Sequence, residues 1–265
     1  MAELQGVADT TFIPMAARIY VSKTYPEYFC DEVALALEEK LPVESVLATS
    51  SEYSLVASVA RYYNLDRIAR AFIEEHGACN IVNLGCGMET MSHRLQTPGV
   101  TFFEIDLPDV IQTRLSVLGT DENEVVIPGD MFACEWFAQV SADKPTLFIV
   151  SGVFQYFHDE EVRAFIGKLR DAYPGAELVF DSTSSGGLEY ANAYVRKTGN
   201  KNAMMYFSVD DPKAFADSLG VTLVSADPFF TDARRMLRGK AKLYTRIAMR
   251  VADSGNRSIV NRLRL

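Results

Sequence analysis

Gly85 and Gly87 stand two residues apart, directly after the apolar run Asn80–Leu84. Paired glycines let a backbone turn tightly and approach a ligand closely. A turn of this kind between a buried strand and a helix suits a nucleotide-like ligand. The third position of the dinucleotide fingerprint is Thr90, where close helix–strand packing wants Gly or Ala, so a nicotinamide cofactor is disfavoured. Asp106 lies 21 residues beyond Gly85, at the end of the run Thr101–Ile105. That is the separation at which a strand-end carboxylate accepts hydrogen bonds from both hydroxyls of a ribose. Glu104 shares its parity, but Asp106 sits nearer the crevice. Gly129-Asp130-Met131 follows the next run. An acid followed by an apolar side chain suits an adenine, although Asp130 is equally placed to cap a short helix over 131–137.

The remaining candidates are weaker. Of three histidines, only His158 lies near the strand ends; His76 ends a helix and His93 lies inside one. Helix-start polarity explains His158 as well as catalysis does. Tyr156 reads either as a hydroxyl donor or as a core aromatic. His76, Cys79, Cys86 and His93 do not make a metal site. The strand between the two cysteines holds the thiols roughly 20 Å apart at about 3.3 Å per residue, too far for one zinc.

These residues need elements to position them. Residues 11–75 read as mainly helical, with Gly77 as the stop. From residue 80, apolar runs alternate with amphipathic segments. Asn80–Leu84, Thr101–Ile105, Glu124–Ile127, Thr146–Val150 and Glu177–Phe180 read as buried strands, with Pro108–Leu118 and Asp159–Tyr173 as helices between them. The latter opens with three acids and ends near Lys168 and Arg170, matching the helix dipole. This alternation predicts an α/β chain with a mainly parallel sheet covered by helices on both faces. Its binding crevice then lies at the carboxyl ends of the strands. Helices are expected near 187–197 and 210–219. Val221–Ser225 and Leu243–Arg250 are expected as strands forming an antiparallel hairpin on the sheet edge.

The segments Ile81–Thr90, Phe103–Pro108 and Val153–Phe157 resemble class I S-adenosylmethionine-dependent methyltransferases. More narrowly, they resemble the leucine carboxyl methyltransferase family, which includes O-methyltransferases of polyketide biosynthesis. Leu84-Gly85-Cys86-Gly87-Met88-Glu89-Thr90 is the most specific part, and the likeness runs from Ile13–Arg18 to Ile259–Leu265. It implies a single Rossmann-like methyltransferase domain: a helical amino-terminal cap over 1–78, a cofactor-binding core over 79–182, and substrate-side helices and edge strands over 183–265. It implies S-adenosylmethionine as cofactor, becoming S-adenosylhomocysteine. It places Arg61 at the cofactor carboxylate, Gly85 and Gly87 beside the methionine moiety, Asp106 at the ribose and Asp130 with Met131 at the adenine. Ser151 falls where the family has a glutamate toward the methionine portion. Serine keeps an acceptor but loses the charge and about two bonds of reach.

The expected activity is methyl transfer to a hydroxyl or carboxylate of a small molecule, with Tyr156 and His158 as catalytic candidates. A carboxyl methyltransferase of a protein carboxy terminus and a cofactor-binding protein without turnover are the alternatives. Composition is that of a soluble globular protein: 265 residues, 48% hydrophobic and 23% charged. The net charge of −9 argues against a general nucleic-acid binder. It is unevenly spread. Residues 234–265 carry ten Arg or Lys against Asp253 alone, a net of +9, which leaves −18 on the rest. This basic tail is expected to pair with the acidic body or to form a docking patch for an anionic partner. No apolar run approaches the roughly 18 residues a membrane span needs. Glu3 and Asp9 precede the first basic residue, Arg18, the reverse of a secretory signal, so a cytoplasmic location is expected.

Overall fold

The structure is a computed structural model that describes residues 7–198, 204–255 and 257–265. Four helices come first: α1 (Val7–Thr24), α2 (Glu32–Ala36), α3 (Val43–Thr49) and α4 (Glu52–His76). The 25-residue α4 is set at both ends by local chemistry. Ser51 Oγ accepts the Ser54 N–H, and Gly77 stops the helix at φ +66°. Its long apolar face, including Leu55, Val59, Ile68 and Phe72, packs on one side of the sheet. Buried Glu52 ties three elements together, accepting from Tyr25 Oη, Thr245 Oγ1 and the Lys242 N–H.

The core follows as β1 (Asn80–Leu84), α5 (Met91–Arg94), β2 (Thr101–Asp106), α6 (Pro108–Leu118), β3 (Glu124–Pro128), β4 (Thr146–Val150), α7 (Asp159–Ala172), β5 (Glu177–Thr183) and α8 (Ser185–Thr198). It closes with α9 (Pro212–Ser218), β6 (Thr222–Pro228), α10 (Thr231–Met236), α11 (Leu243–Ser254) and β7 (Ser258–Arg264). The seven strands are ordered β3-β2-β1-β4-β5-β7-β6. The first five are parallel, and β7 is antiparallel to both its neighbours. The sheet order reverses between β1 and β4, so the crevice opens beside the ends of these two strands. Every residue of β1 and β4 is buried, as expected of strands covered on both faces. This is the expected Rossmann-like α/β sheet with its helical cap.

Two expectations need correction. Leu243–Arg250 is helical, inside α11, and the strand paired with β6 is β7. The residues explain this: Thr245, Met249 and Ala252 are buried at helical spacing, while Leu243, Ile247 and Val251 recur every fourth position. In addition, β7 inserts between β5 and β6, so β6 is the edge. The other correction concerns β3, which is the opposite edge and half-exposed rather than buried.

The basic tail pairs in part with the acidic body. Arg262 and Arg264 reach Glu177, and Lys240 reaches Glu27. Among the described residues no cluster of His, Cys, Asp or Glu could hold a metal ion, and no helix is long and apolar enough to cross a membrane.

Candidate active site

A cleft of about 280 Å³ opens at the carboxyl ends of β1, β2 and β4. Its walls include Arg61, Gly85, Gly87, Asp106, Ser151 and Tyr156. Thus six sequence-predicted residues from four separate stretches of chain meet at one place.

The glycine turn is built by its own backbone. Gly85 and Gly87 have φ of +69° and +51°, where side chains with a Cβ are disfavoured. They differ in what surrounds them. A Cβ on Gly85 would lie 2.6 Å from Val153 Cγ2, so Gly85 is required by packing as well as by conformation. A Cβ on Gly87 would meet nothing within 4 Å. Gly87 is therefore the glycine that borders open space in the cleft.

Asp106 at the end of β2 fastens this turn. Its two carboxylate oxygens accept the N–H groups of Gly87 and Leu107, each at 2.7 Å. Burial pushes its carboxyl above the ordinary range, and these two bonds oppose that rise. Each oxygen keeps a further lone pair. Glu104, two residues earlier, is fully buried and does not line the cleft. It accepts from Asn83 Nδ2 at 2.9 Å, and burial pushes it up to about 8.

On the far side of the turn a buried polar network replaces apolar packing. Arg18 from α1 donates to Thr90 Oγ1, to the Met88 carbonyl and to Asp31. Arg94 also reaches Thr90 Oγ1, and Arg114 donates to the Glu89 carbonyl. Burial alone would raise the Asp31 carboxyl, but Arg18 and Arg94, with hydrogen bonds from Thr90 and the Ala34 N–H, together hold the group below its ordinary range. Thr90 thus has a physical role where a dinucleotide fold needs a small residue: its hydroxyl links the cap to the glycine turn.

Arg61 projects from α4 across the ends of β4 and β5. Its Nη2 lies 3.0 Å from Asp181 Oδ2. Asp181 Oδ1 accepts the Gly152 N–H at 2.6 Å. A Cβ on Gly152 would lie 2.9 Å from Arg61 Nη1, so this glycine makes room for the guanidinium. Among the described residues Arg61 Nε is buried without a hydrogen-bond partner, on a side chain that lines the cleft. Sequence reasoning missed Asp181. The signal was present: it follows the apolar stretch Leu178–Phe180, as Asp106 follows its own strand.

Three predicted residues are not in the cleft wall. Asp130 accepts the Phe132 N–H at 2.9 Å and so does cap a short helical turn, and Met131 is buried in the core. Their loop nevertheless abuts the site, since the Gly129 N–H donates to the Asp106 carbonyl. His158 is exposed at the start of α7, where its N–H donates to Glu161 and its ring lies 4.4 Å from that of Tyr206. Helix-start chemistry accounts for it. Tyr156, in contrast, is 42% exposed and lines the cleft, so it is not a core aromatic.

An open parallel sheet with a glycine turn at its switch point and a carboxylate closing the next strand defines a Rossmann-like, nucleotide-cofactor enzyme. Comparison with known proteins narrows this. The model of the leucine carboxyl methyltransferase family matches residues 13–170. The tetracenomycin polyketide synthesis O-methyltransferase TcmP of Streptomyces glaucescens is 21% identical over 87% of this chain and 88% of its own length. The S-adenosyl-L-methionine-dependent methyltransferase dpfgK of Gibberella zeae is 30% identical over 50% of this chain and 48% of its own. Among solved structures, a putative methyltransferase from Thermobifida fusca superposes with a TM-score of 0.61 at 18% identity, covering 94% of this chain and 93% of its own. The chain belongs to the leucine carboxyl methyltransferase family and is an S-adenosylmethionine-dependent methyltransferase.

Proposed function

We propose that this enzyme is a single-domain O-methyltransferase acting on a small molecule, and that the acceptor is an acid, ionised before it reacts. The observation that carries this reading is the cleft wall itself. Among the described residues it holds donors, Arg61, Gln155 and the Tyr156 hydroxyl, and no histidine or lysine. Its carboxylates are committed: Asp106 to the glycine turn, Glu89 to Arg94 and the Thr90 N–H. A carboxylate acceptor needs no general base at neutral pH, whereas an alcohol gains from one.

The residues fit the cofactor. Gly87 leaves open space beside the backbone, Asp106 retains acceptor capacity for ribose hydroxyls, and Arg61 keeps an unpartnered donor for a carboxylate. Asp130 and Met131 are proposed at the adenine, from the loop against Asp106, and Ser151 beside the methionine portion. S-adenosylmethionine, when bound, supplies a methyl already activated by the positive sulfur. What remains for the protein is to hold the acceptor about 3–3.5 Å from that methyl and in line. Tyr156 is placed to do so by donating its hydroxyl to the acceptor. The O-methyltransferase TcmP, similar over most of its length, supports a small-molecule acceptor.

Ser151 favours a second reading, cofactor binding without turnover, because the family's glutamate is missing there. Incubation with methyl-labelled S-adenosylmethionine and a panel of aromatic acids and phenols separates the two. The proposal expects label in product that alkali releases as methanol, the behaviour of an ester. Alkali-stable label would mean a hydroxyl acceptor. Cofactor binding with no product from any acceptor would favour the second reading.

A further inference from the structure

A second concave surface lies away from the cleft, between α10 and α11. It encloses about 710 Å³ and is lined by Arg234, Arg235, Arg238, Arg246 and Arg250, with Leu243 and Ile247 among its apolar residues. Arg234 and Arg235 are paired, to Asp253 and Asp232. Arg238, Arg246 and Arg250 are exposed, and no carboxylate among the described residues pairs with them. Arg246 and Arg250 stand one helical turn apart, a like-charge spacing that destabilises a helix. This uncompensated charge is held on a chain whose other residues sum to a strong negative charge.

The outward face of α11 is also apolar. Leu243, Ile247 and Val251 form one stripe at helical spacing with Tyr244 beside it, and they are 68%, 55%, 43% and 69% exposed. Thr245, Met249 and Ala252 bury the opposite face. The helix thus exposes an apolar stripe whose Leu243 and Ile247 border the arginine-lined trough.

We propose that the α10–α11 face docks on an anionic phospholipid surface, with the Leu243, Tyr244, Ile247 and Val251 stripe entering the interface and Arg238, Arg246 and Arg250 holding lipid phosphates. Three arguments select this occupant. An exposed apolar stripe flanked by arginines is the arrangement of helices that lie in a membrane interface. Charge is complementary at this face, where residues 234–265 carry a net +9 against −18 on the rest, so the acidic body is turned away from an anionic surface. A second copy fits poorly, because a two-fold contact through this face would set arginine against arginine.

The test is cosedimentation of the whole protein with vesicles. Wild type is expected to bind vesicles rich in phosphatidylglycerol, to release in high salt, and to ignore phosphatidylcholine alone. Each arginine near such a surface contributes about fivefold. Arg246→Glu with Arg250→Glu should therefore weaken binding at least about 25-fold. Leu243→Ser with Ile247→Ser should weaken it as well. All four sites are exposed, so both variants should keep the wild-type melting temperature and cofactor affinity. No binding to phosphatidylglycerol at low salt overturns the proposal, as does equal binding by either variant. Binding of inorganic pyrophosphate or of a poly-glutamate peptide without vesicle binding also overturns it, in favour of a soluble anion or an acidic protein.

Discussion

Replacing Asp106 with Ala separates two jobs that its carboxylate performs. In the free protein it holds the Gly87 and Leu107 N–H groups at 2.7 Å each. Bonds to a charged acceptor contribute about 1.5–3 kcal/mol apiece. Leu107 is exposed and Gly87 partly so, which lets water replace much of the loss. Removal also relieves the burial that raises this carboxyl. The net cost should be about 2 kcal/mol, a fall in melting temperature of roughly 4–8 °C for a chain of this size. The second job is ribose binding. Losing two charge-assisted bonds there, partly replaced by water, should cost roughly 2–4 kcal/mol, or about 30- to 700-fold in affinity. Calorimetry with S-adenosylhomocysteine, alongside thermal melts, measures both. Asp109→Ala, one turn away on α6, should bind as wild type does. An Asp106→Ala protein that melts lower but binds normally would refute the reasoning, because the carboxylate would then serve the turn alone.

Gly87→Ala should cost the fold only about 1–2 kcal/mol for its positive φ, yet weaken S-adenosylhomocysteine binding at least tenfold. Gly77→Ala, also at positive φ with open surroundings but outside the cleft wall, should leave affinity unchanged whatever it costs the fold, and equal affinities in both variants would contradict the placement. Ser151→Glu should tighten cofactor binding by about 1–2 kcal/mol by adding an anion at the end of β4; weaker binding in the same titration would show that Asp181 and Arg61 leave it no room. For Glu104, burial raises the folded-state value to about 8 from 4.5. The folded protein therefore keeps a proton that the unfolded chain loses between those values, and this group's contribution is fully present below 4.5 and declines as pH rises toward 8. Glu104→Gln should flatten that decline, by up to roughly 1.4 kcal/mol per pH unit, in denaturant titrations from pH 5 to 8; parallel wild-type and variant curves would contradict it.

The parts legible in the sequence were those governed by local pattern. The runs at 80–84 and 146–150 match β1 and β4 residue for residue, because strands buried on both faces are wholly apolar apart from satisfied polar groups such as Asn80 and Asn83. The strand-end rule found Gly87 and Asp106 for the same reason: parallel-sheet topology sends every such end to one rim. Leu243–Arg250 failed because exposed Leu243, Tyr244 and Ile247 share the outward face with Arg246 and Arg250, so no clean polar face marks the helix and the run reads as a strand. The Arg18–Thr90–Asp31 network was invisible because it joins residues 13 to 72 positions apart. Nothing local distinguishes Arg18 from an ordinary surface arginine. Asp181 and Arg61 meet by the same kind of long-range packing.

The central claim is that the cleft beside Gly87, Asp106 and Arg61 binds S-adenosylmethionine. Calorimetric titration of the wild-type protein with S-adenosylhomocysteine, and separately with NAD, tests it most directly. The account predicts one saturable site for S-adenosylhomocysteine, lost in Gly87→Ala with Asp106→Ala, and no heat with NAD. Saturable binding of NAD with none of S-adenosylhomocysteine, or S-adenosylhomocysteine binding that survives both substitutions, would contradict it.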